Sequence, residues 1–183
     1  SIKIKEDIGY LYENKAEALV EDMYQMTQYL KEKFKGKKII LFGHSMGSMI
    51  VRKYIAKYDN KIDGLIVCGS PSKNANAKLG LVIIKILKFL KGENYRSKFV
   101  KNLMFSGYDK DKNLKNSWIC NNKEVVIKYN ADELCQYIYT LNGFENIINL
   151  MIDIYNPKIY KKGNLQLPIY FIAGNDDPVI SSY

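Results

Sequence analysis

Lys38-Ile39-Ile40-Leu41-Phe42-Gly43-His44-Ser45-Met46-Gly47 is the stretch on which the reading of this chain turns. A short apolar run of strand character leads into Gly43-x-Ser45-x-Gly47. The residues after it have helical periodicity, with Ile50, Tyr54 and Tyr58 on one face and Val51 and Ile55 beside them. A serine on a sharp strand-to-helix turn needs glycines on either side, where a side chain would collide with the neighbouring backbone. Ser45 is therefore the candidate nucleophile, and Gly43, His44 and Gly47 shape the elbow that presents it. A glycine-rich turn that merely contains a serine matches the same spacing; the strand before it and the helix after it favour the elbow.

A second informative stretch lies near the other end, Leu167-Pro168-Ile169-Tyr170-Phe171-Ile172-Ala173-Gly174-Asn175-Asp176-Asp177-Pro178-Val179. It reads as a short strand, a glycine turn and then carboxylates at the strand's C-terminal end, which is where open α/β sheets place their chemistry. Asp177 is the candidate acid and Asp176 its less favoured neighbour. An aspartate here could equally form a turn or cap a helix; the upstream elbow tips the reading toward catalysis.

Working outward, residues 15–35 predict a helix with Leu19, Val20, Met23, Thr27, Leu30 and Phe34 on one stripe, ending near Gly36. Strands are expected at 38–43, 63–69 and 168–173, with a helix at 45–59. Short apolar strands separated by helices predict βαβ units and a parallel sheet. Residues 71–150 show helical patterns without strand alternation and read as an insertion, placed as a lid between core segments 1–70 and 151–183. Its most apolar run, Leu79 to Leu90, spans roughly 18 Å as a helix, well short of a bilayer core. Lys78, Lys85, Lys88 and Lys91 are expected on one side of it, leaving a broad apolar face. That face packs on its own domain, walls an acyl chain, or touches lipid while lysines meet headgroups. Trp118, Tyr129, Tyr137, Tyr139 and Phe144 read as packing, and Gly143-Phe144-Glu145 as the start of the helix that returns the chain to the sheet.

With 183 residues and 47% hydrophobic content the chain fits one domain, and it has no run of twenty apolar residues. A signal peptide stays open. Cys68, Cys120 and Cys135 are odd in number, widely spaced and without metal-ligand spacing, so they read as reduced core or lid residues of a cytoplasmic protein, with a disulfide as the less favoured alternative. The net charge of +9 invites a nucleic-acid or anionic-membrane partner. Its lysines are scattered, however, Arg52 and Arg96 are the only arginines, and no basic-aromatic motif stands out. No nucleic-acid partner is expected, and the oligomeric state is left open.

In these features the chain resembles α/β-hydrolases of the lysophospholipase, monoacylglycerol-lipase-like and serine aminopeptidase group. The matching residues are the helix Leu19-Val20-Glu21-Asp22-Met23 leading to Lys38–Phe42, the elbow Gly43-His44-Ser45-Met46-Gly47, Ile62-Asp63-Gly64-Leu65-Ile66-Val67-Cys68-Gly69-Ser70, and Gly174-x-x-Asp177-Pro178-Val179. The resemblance implies a partial α/β-hydrolase fold, Ser45 as nucleophile, Asp177 as triad acid and the Met46 backbone N–H as one oxyanion donor. It also implies a triad histidine beyond the acid and a second oxyanion donor on an early loop. The one histidine here is His44, whose side chain should diverge from that of its neighbour Ser45 and make a poor base. The chain, opening Ser1-Ile2-Lys3-Ile4-Lys5, therefore reads as an internal piece of such a fold, catalytically incomplete as it stands.

The expected chemistry is hydrolysis of carboxylic esters through an acyl-enzyme on Ser45, with no metal or organic cofactor. The apolar lid helix favours lysophospholipid or monoacylglycerol as the small-molecule substrate, with transient membrane-surface contact through the lid. A serine aminopeptidase is the alternative enzyme, for which Asp109, Asp111, Glu124, Asp132 and Glu133 could hold a substrate amine. A non-catalytic protein of the same fold that binds a hydrophobic ligand is the alternative from a different class.

Overall fold

The computed structural model describes residues 7–12, 15–160 and 163–180; the opening Ser1–Lys5 lies outside them. Contacts divide the chain into two compact units. Glu13–Gly80 with Asn146–Tyr183 makes one, and Ser1–Tyr12 with Leu81–Glu145 the other.

The first unit holds the sheet. Strands β1 (Ile40–His44), β2 (Gly64–Cys68) and β3 (Ile169–Ile172) run parallel in the order β1-β2-β3. The register sets His44, Cys68 and Ile172 side by side at the C-terminal ends of the strands. Everything singled out for chemistry leaves the sheet from that line. Helix α1 (Lys15–Lys33) packs on α2 (Met46–Tyr58), which in turn packs on β1 and β2. Val20, Met49, Ile50, Val51, Tyr54, Leu65 and Val67 are buried and form the heart of this core. Thr27, the polar member of the α1 stripe, is buried because its hydroxyl donates to the Met23 carbonyl at 2.8 Å and accepts from the Tyr54 hydroxyl at 3.2 Å. Two hydrogen bonds satisfy what would otherwise cost desolvation energy. Phe34, expected on the same stripe, lies past the end of α1 and is exposed.

Buried Lys53 on α2 binds Glu17 of α1 and Asp153 near the end of α6 (Leu141–Ile154), each at 2.7 Å. Lys57 adds contacts to Glu17 and Glu21 one turn further on.

In the second unit, α4 (Lys98–Phe105) starts at Ser97, whose hydroxyl accepts from the Val100 N–H, and α5 (Lys123–Ala131) starts at Asn122, which accepts from the Glu124 N–H. Such caps satisfy helix-end donors. Phe105, Tyr108 and Trp118 form one aromatic cluster, and Tyr137, Tyr139 and Phe144 another, as the packing reading expects.

Helix α3 (Ala77–Lys91) begins in one unit and ends in the other. It exposes Leu79, Val82, Ile86, Phe89 and Leu90. The four lysines of α3 differ in exposure. Lys78, Lys85 and Lys91 are exposed, whereas Lys88 turns to Glu145 at 2.9 Å and Glu93 at 3.2 Å. Two carboxylates thus engage its half-buried ammonium. All three cysteines are free, and among the described residues no helix is long and apolar enough to cross a membrane.

Candidate active site

Ser45 sits between β1 and α2 with φ 52° and ψ −118°, a left-handed conformation that L-residues avoid. Three hydrogen bonds hold it there. Its N–H donates to the Cys68 carbonyl at 3.0 Å, and its carbonyl accepts the Ser48 N–H at 3.0 Å as well as the Ser48 hydroxyl. Its side chain is half-buried and makes no capping hydrogen bond to α2. A tight turn has been closed around a serine whose hydroxyl does not cap the helix that follows it.

Gly43 explains how the turn closes. A Cβ there would lie 2.6 Å from Val51 Cγ2 and 2.8 Å from the Gly47 carbonyl carbon, and closer still to the Gly47 oxygen. No rotamer change relieves a clash with backbone. Gly47 differs from the sequence expectation, since a Cβ on it would meet nothing within 4 Å. The collision argument therefore holds on one side of the serine only: α2 comes down onto Gly43, and Gly47 supplies the backbone surface rather than needing space itself. Met46 opens α2 and so lies at the positive end of its dipole.

Asp177 lies in the turn after β3. Its Oδ1 accepts the Val179 N–H at 3.0 Å, and its backbone N–H donates to the Gly174 carbonyl at 3.2 Å. Its other carboxylate oxygen, Oδ2, and the His44 imidazole both border Gly69, the residue directly after β2. The Cβ position of Gly69 is 3.3 Å from Asp177 Oδ2 and 3.4 Å from His44 Nε2. Gly69 adopts φ 55° and donates its N–H to the Ile172 carbonyl at 2.9 Å. Any side chain at that position would be strained and would enter the space that the carboxylate and imidazole share.

The three strand ends thus bring Ser45, His44 and Asp177 to one edge of one unit, with Gly69 between them. Three of the five acidic residues considered for an amine site are engaged locally in the second unit. Asp111 binds Lys123 at 3.1 Å, Asp132 caps a 3-10 turn by accepting from the Leu134 N–H, and Asp109 accepts weakly from Ser117. Among the described residues no three His, Cys, Asp or Glu side chains gather closely enough to hold a metal ion.

Residues that sequence reasoning passed over hold this edge together. Arg52 on α2 donates to Ser70 Oγ at 2.9 Å and to the Ile154 carbonyl at 3.2 Å, with its guanidinium 4.7 Å from the Tyr155 ring centre. The Tyr155 hydroxyl donates to the Pro71 carbonyl at 2.6 Å. The only signal in the sequence was that Arg52 is one of two arginines among many lysines.

Residues 9–183 match the family model described as serine aminopeptidase, S33. Among solved structures, a thermostable carboxyl esterase from Bacillus coagulans, in complex with glycerol, aligns with TM-score 0.77 and 28% identity, over 88% of this chain and 54% of that one. A monoglyceride lipase from Saccharomyces cerevisiae aligns with TM-score 0.65 and 19% identity, over 95% of this chain and 55% of that one. A monoacylglycerol lipase from Paleococcus ferrophilus aligns with TM-score 0.54 and 16% identity, over 87% and 65%. The chain spans little more than half the length of the first two. No curated protein sequence matches it.

Proposed function

This chain belongs to the serine aminopeptidase S33 family and has a partial α/β-hydrolase fold, and on that premise we propose that it carries the nucleophile and acid of a serine hydrolase that cleaves carboxylic esters. The observation that carries the reading is Ser45, held at φ 52° on the turn after β1, with the Asp177 carboxylate at the end of β3 in the same unit. Ser45 attacks the ester carbonyl as a histidine base oriented by Asp177 takes its proton, the Met46 N–H stabilises the oxyanion, and the ester C–O bond breaks as the histidine returns that proton to the leaving alcohol; water then attacks the acyl-enzyme, freeing the carboxylic acid and restoring Ser45. The reading calls for a histidine base other than His44, and sequencing the coding DNA past the Tyr183 codon tests it.

Lysophospholipid or monoacylglycerol is the proposed substrate, in a cytoplasmic protein whose lid, residues 71–150, meets membrane surfaces transiently. The exposed apolar stripe of α3 beside Lys78 and Lys85 supports that reading. The local engagement of Asp109, Asp111 and Asp132 speaks against the aminopeptidase alternative.

In the intact protein Ser45→Ala should lower kcat on the order of 10⁴-fold. Fluorophosphonate should label Ser45, and long-chain p-nitrophenyl esters should be preferred to acetyl esters. Retention of a tenth of the activity by Ser45→Ala ends the nucleophile assignment. Ligand binding without labelling would instead favour the non-catalytic alternative.

A further inference from the structure

The segment after β2, Gly69-Ser70-Pro71-Ser72, connects the nucleophile side of the edge to the acid side. On the nucleophile side, the Cys68 carbonyl accepts the Ser45 N–H at 3.0 Å. On the acid side, Gly69 donates to Ile172 at 2.9 Å and Ser72 to Val179 at 3.2 Å, while Val179 itself donates to Asp177 Oδ1. A shift of this segment therefore moves the acid relative to the nucleophile.

Arg52 fixes the middle of the segment. One guanidinium nitrogen holds the Ser70 hydroxyl, the other holds the Ile154 carbonyl, and the guanidinium carbon lies over the ring of Tyr155, whose hydroxyl holds Pro71. Tyr160 donates to the same Ile154 carbonyl at 3.0 Å; burial pushes its phenol up, and the adjacent Arg52 charge opposes that. The guanidinium is thus clamped in three directions, by a fork geometry that lysine cannot reproduce. Arg52 also sits on α2, about two turns after Ser45, so that the helix opening directly after the nucleophile carries the clamp.

We infer that Arg52 is a positioning residue, which sets the distance between Ser45 and Asp177 through the Ser70–Pro71 segment. This rests on the serine-hydrolase reading of the site. Misplacement of reacting groups by about 1 Å can cost on the order of 10²-fold in rate, so loss of the clamp should appear in kcat rather than in KM.

The test uses the intact protein, with Arg52→Gln, Arg52→Lys and Ser70→Ala. For each, kcat is expressed per active site titrated with fluorophosphonate, beside KM and the rate of Ser45 labelling. Arg52→Gln should lower kcat per titrated site about tenfold or more and slow labelling in parallel, with KM within about twofold. Arg52→Lys should recover part of the loss, and Ser70→Ala, which removes one arm and leaves the fold, should show a smaller loss of the same kind. A merely structural role would change the number of titratable sites and leave kcat per site unmoved, and that result overturns the inference alone. A wild-type protein that neither labels nor turns over overturns the hydrolase reading and the inference with it.

Discussion

Replacing Ser45 by glycine should stabilise the chain, although it removes the proposed nucleophile. At φ 52° and ψ −118° the Cβ of Ser45 costs conformational energy, about 1–3 kcal/mol for a non-glycine residue in such a region. The three hydrogen bonds to its backbone N–H and C=O keep it there, and glycine preserves all three. Against the relief stands the greater freedom of glycine in the unfolded chain, about 0.5–1 kcal/mol. The difference leaves glycine about 1 kcal/mol ahead of alanine, which keeps the Cβ and its strain while lacking the hydroxyl. For a chain of 183 residues this corresponds to a rise in Tm of about 2–4 °C. Thermal and urea unfolding of wild type, Ser45→Ala and Ser45→Gly measures it, and the Gly–Ala comparison isolates the Cβ. A glycine variant no more stable than the alanine variant would refute the argument that the elbow stores strain for function.

At Gly43, alanine should cost about 3 kcal/mol or more, because its Cβ would press on the Gly47 backbone and Val51, whereas Gly47→Ala, pointing into open space, should be neutral or slightly stabilising; equal costs at the two positions would contradict the geometry. Burial pushes the Glu17 carboxyl up, but the ammonium groups of Lys53 and Lys57 more than offset this and hold it below its ordinary value of 4.5. Its stabilisation is therefore complete above about pH 4.5 and is lost as pH falls through the lower folded value. For Lys53, burial lowers the ammonium, yet Asp153 and Glu17 raise it above 10.5, so that its contribution persists below that pH and is lost as pH rises further. Glu17→Gln should flatten the acid limb of stability against pH, and an unchanged limb would show that the pair does not matter. Ile40 and Phe42 on β1 are each 61% exposed, as are Tyr170 (61%) and Phe171 (62%) on β3, and both strands are edges of the described sheet. The chain should therefore self-associate in sedimentation experiments, and Phe42→Lys with Tyr170→Lys should reduce this; association unchanged by both would place the sticky surface elsewhere.

What could be read from the sequence was whatever local sterics dictate. The elbow was legible because a strand, a tight turn and a helix each leave a short-range pattern, and Gly43 is demanded by a contact only four residues away, at Gly47. The three parallel strands were legible for the same reason, with boundaries off by one or two residues. The error at Gly47 shows the limit of this kind of reasoning. Spacing says that two glycines flank a serine, but which of them faces a neighbour depends on how α2 descends on β1, and that is fixed by Val51 and the core beneath it. Lys88 shows the same limit: its place on the wheel was readable, while its partner Glu145, 57 residues away, was not. Arg52 is the extreme case, because its partners lie 18 and 102 residues away and nothing in its immediate sequence announces them. Short-range patterns thus identify the groups that could react, whereas the ties that fix their separation are long-range. In this chain the ties converge on Gly69–Ser72, a segment whose own sequence suggested only the end of a strand and the start of the insertion.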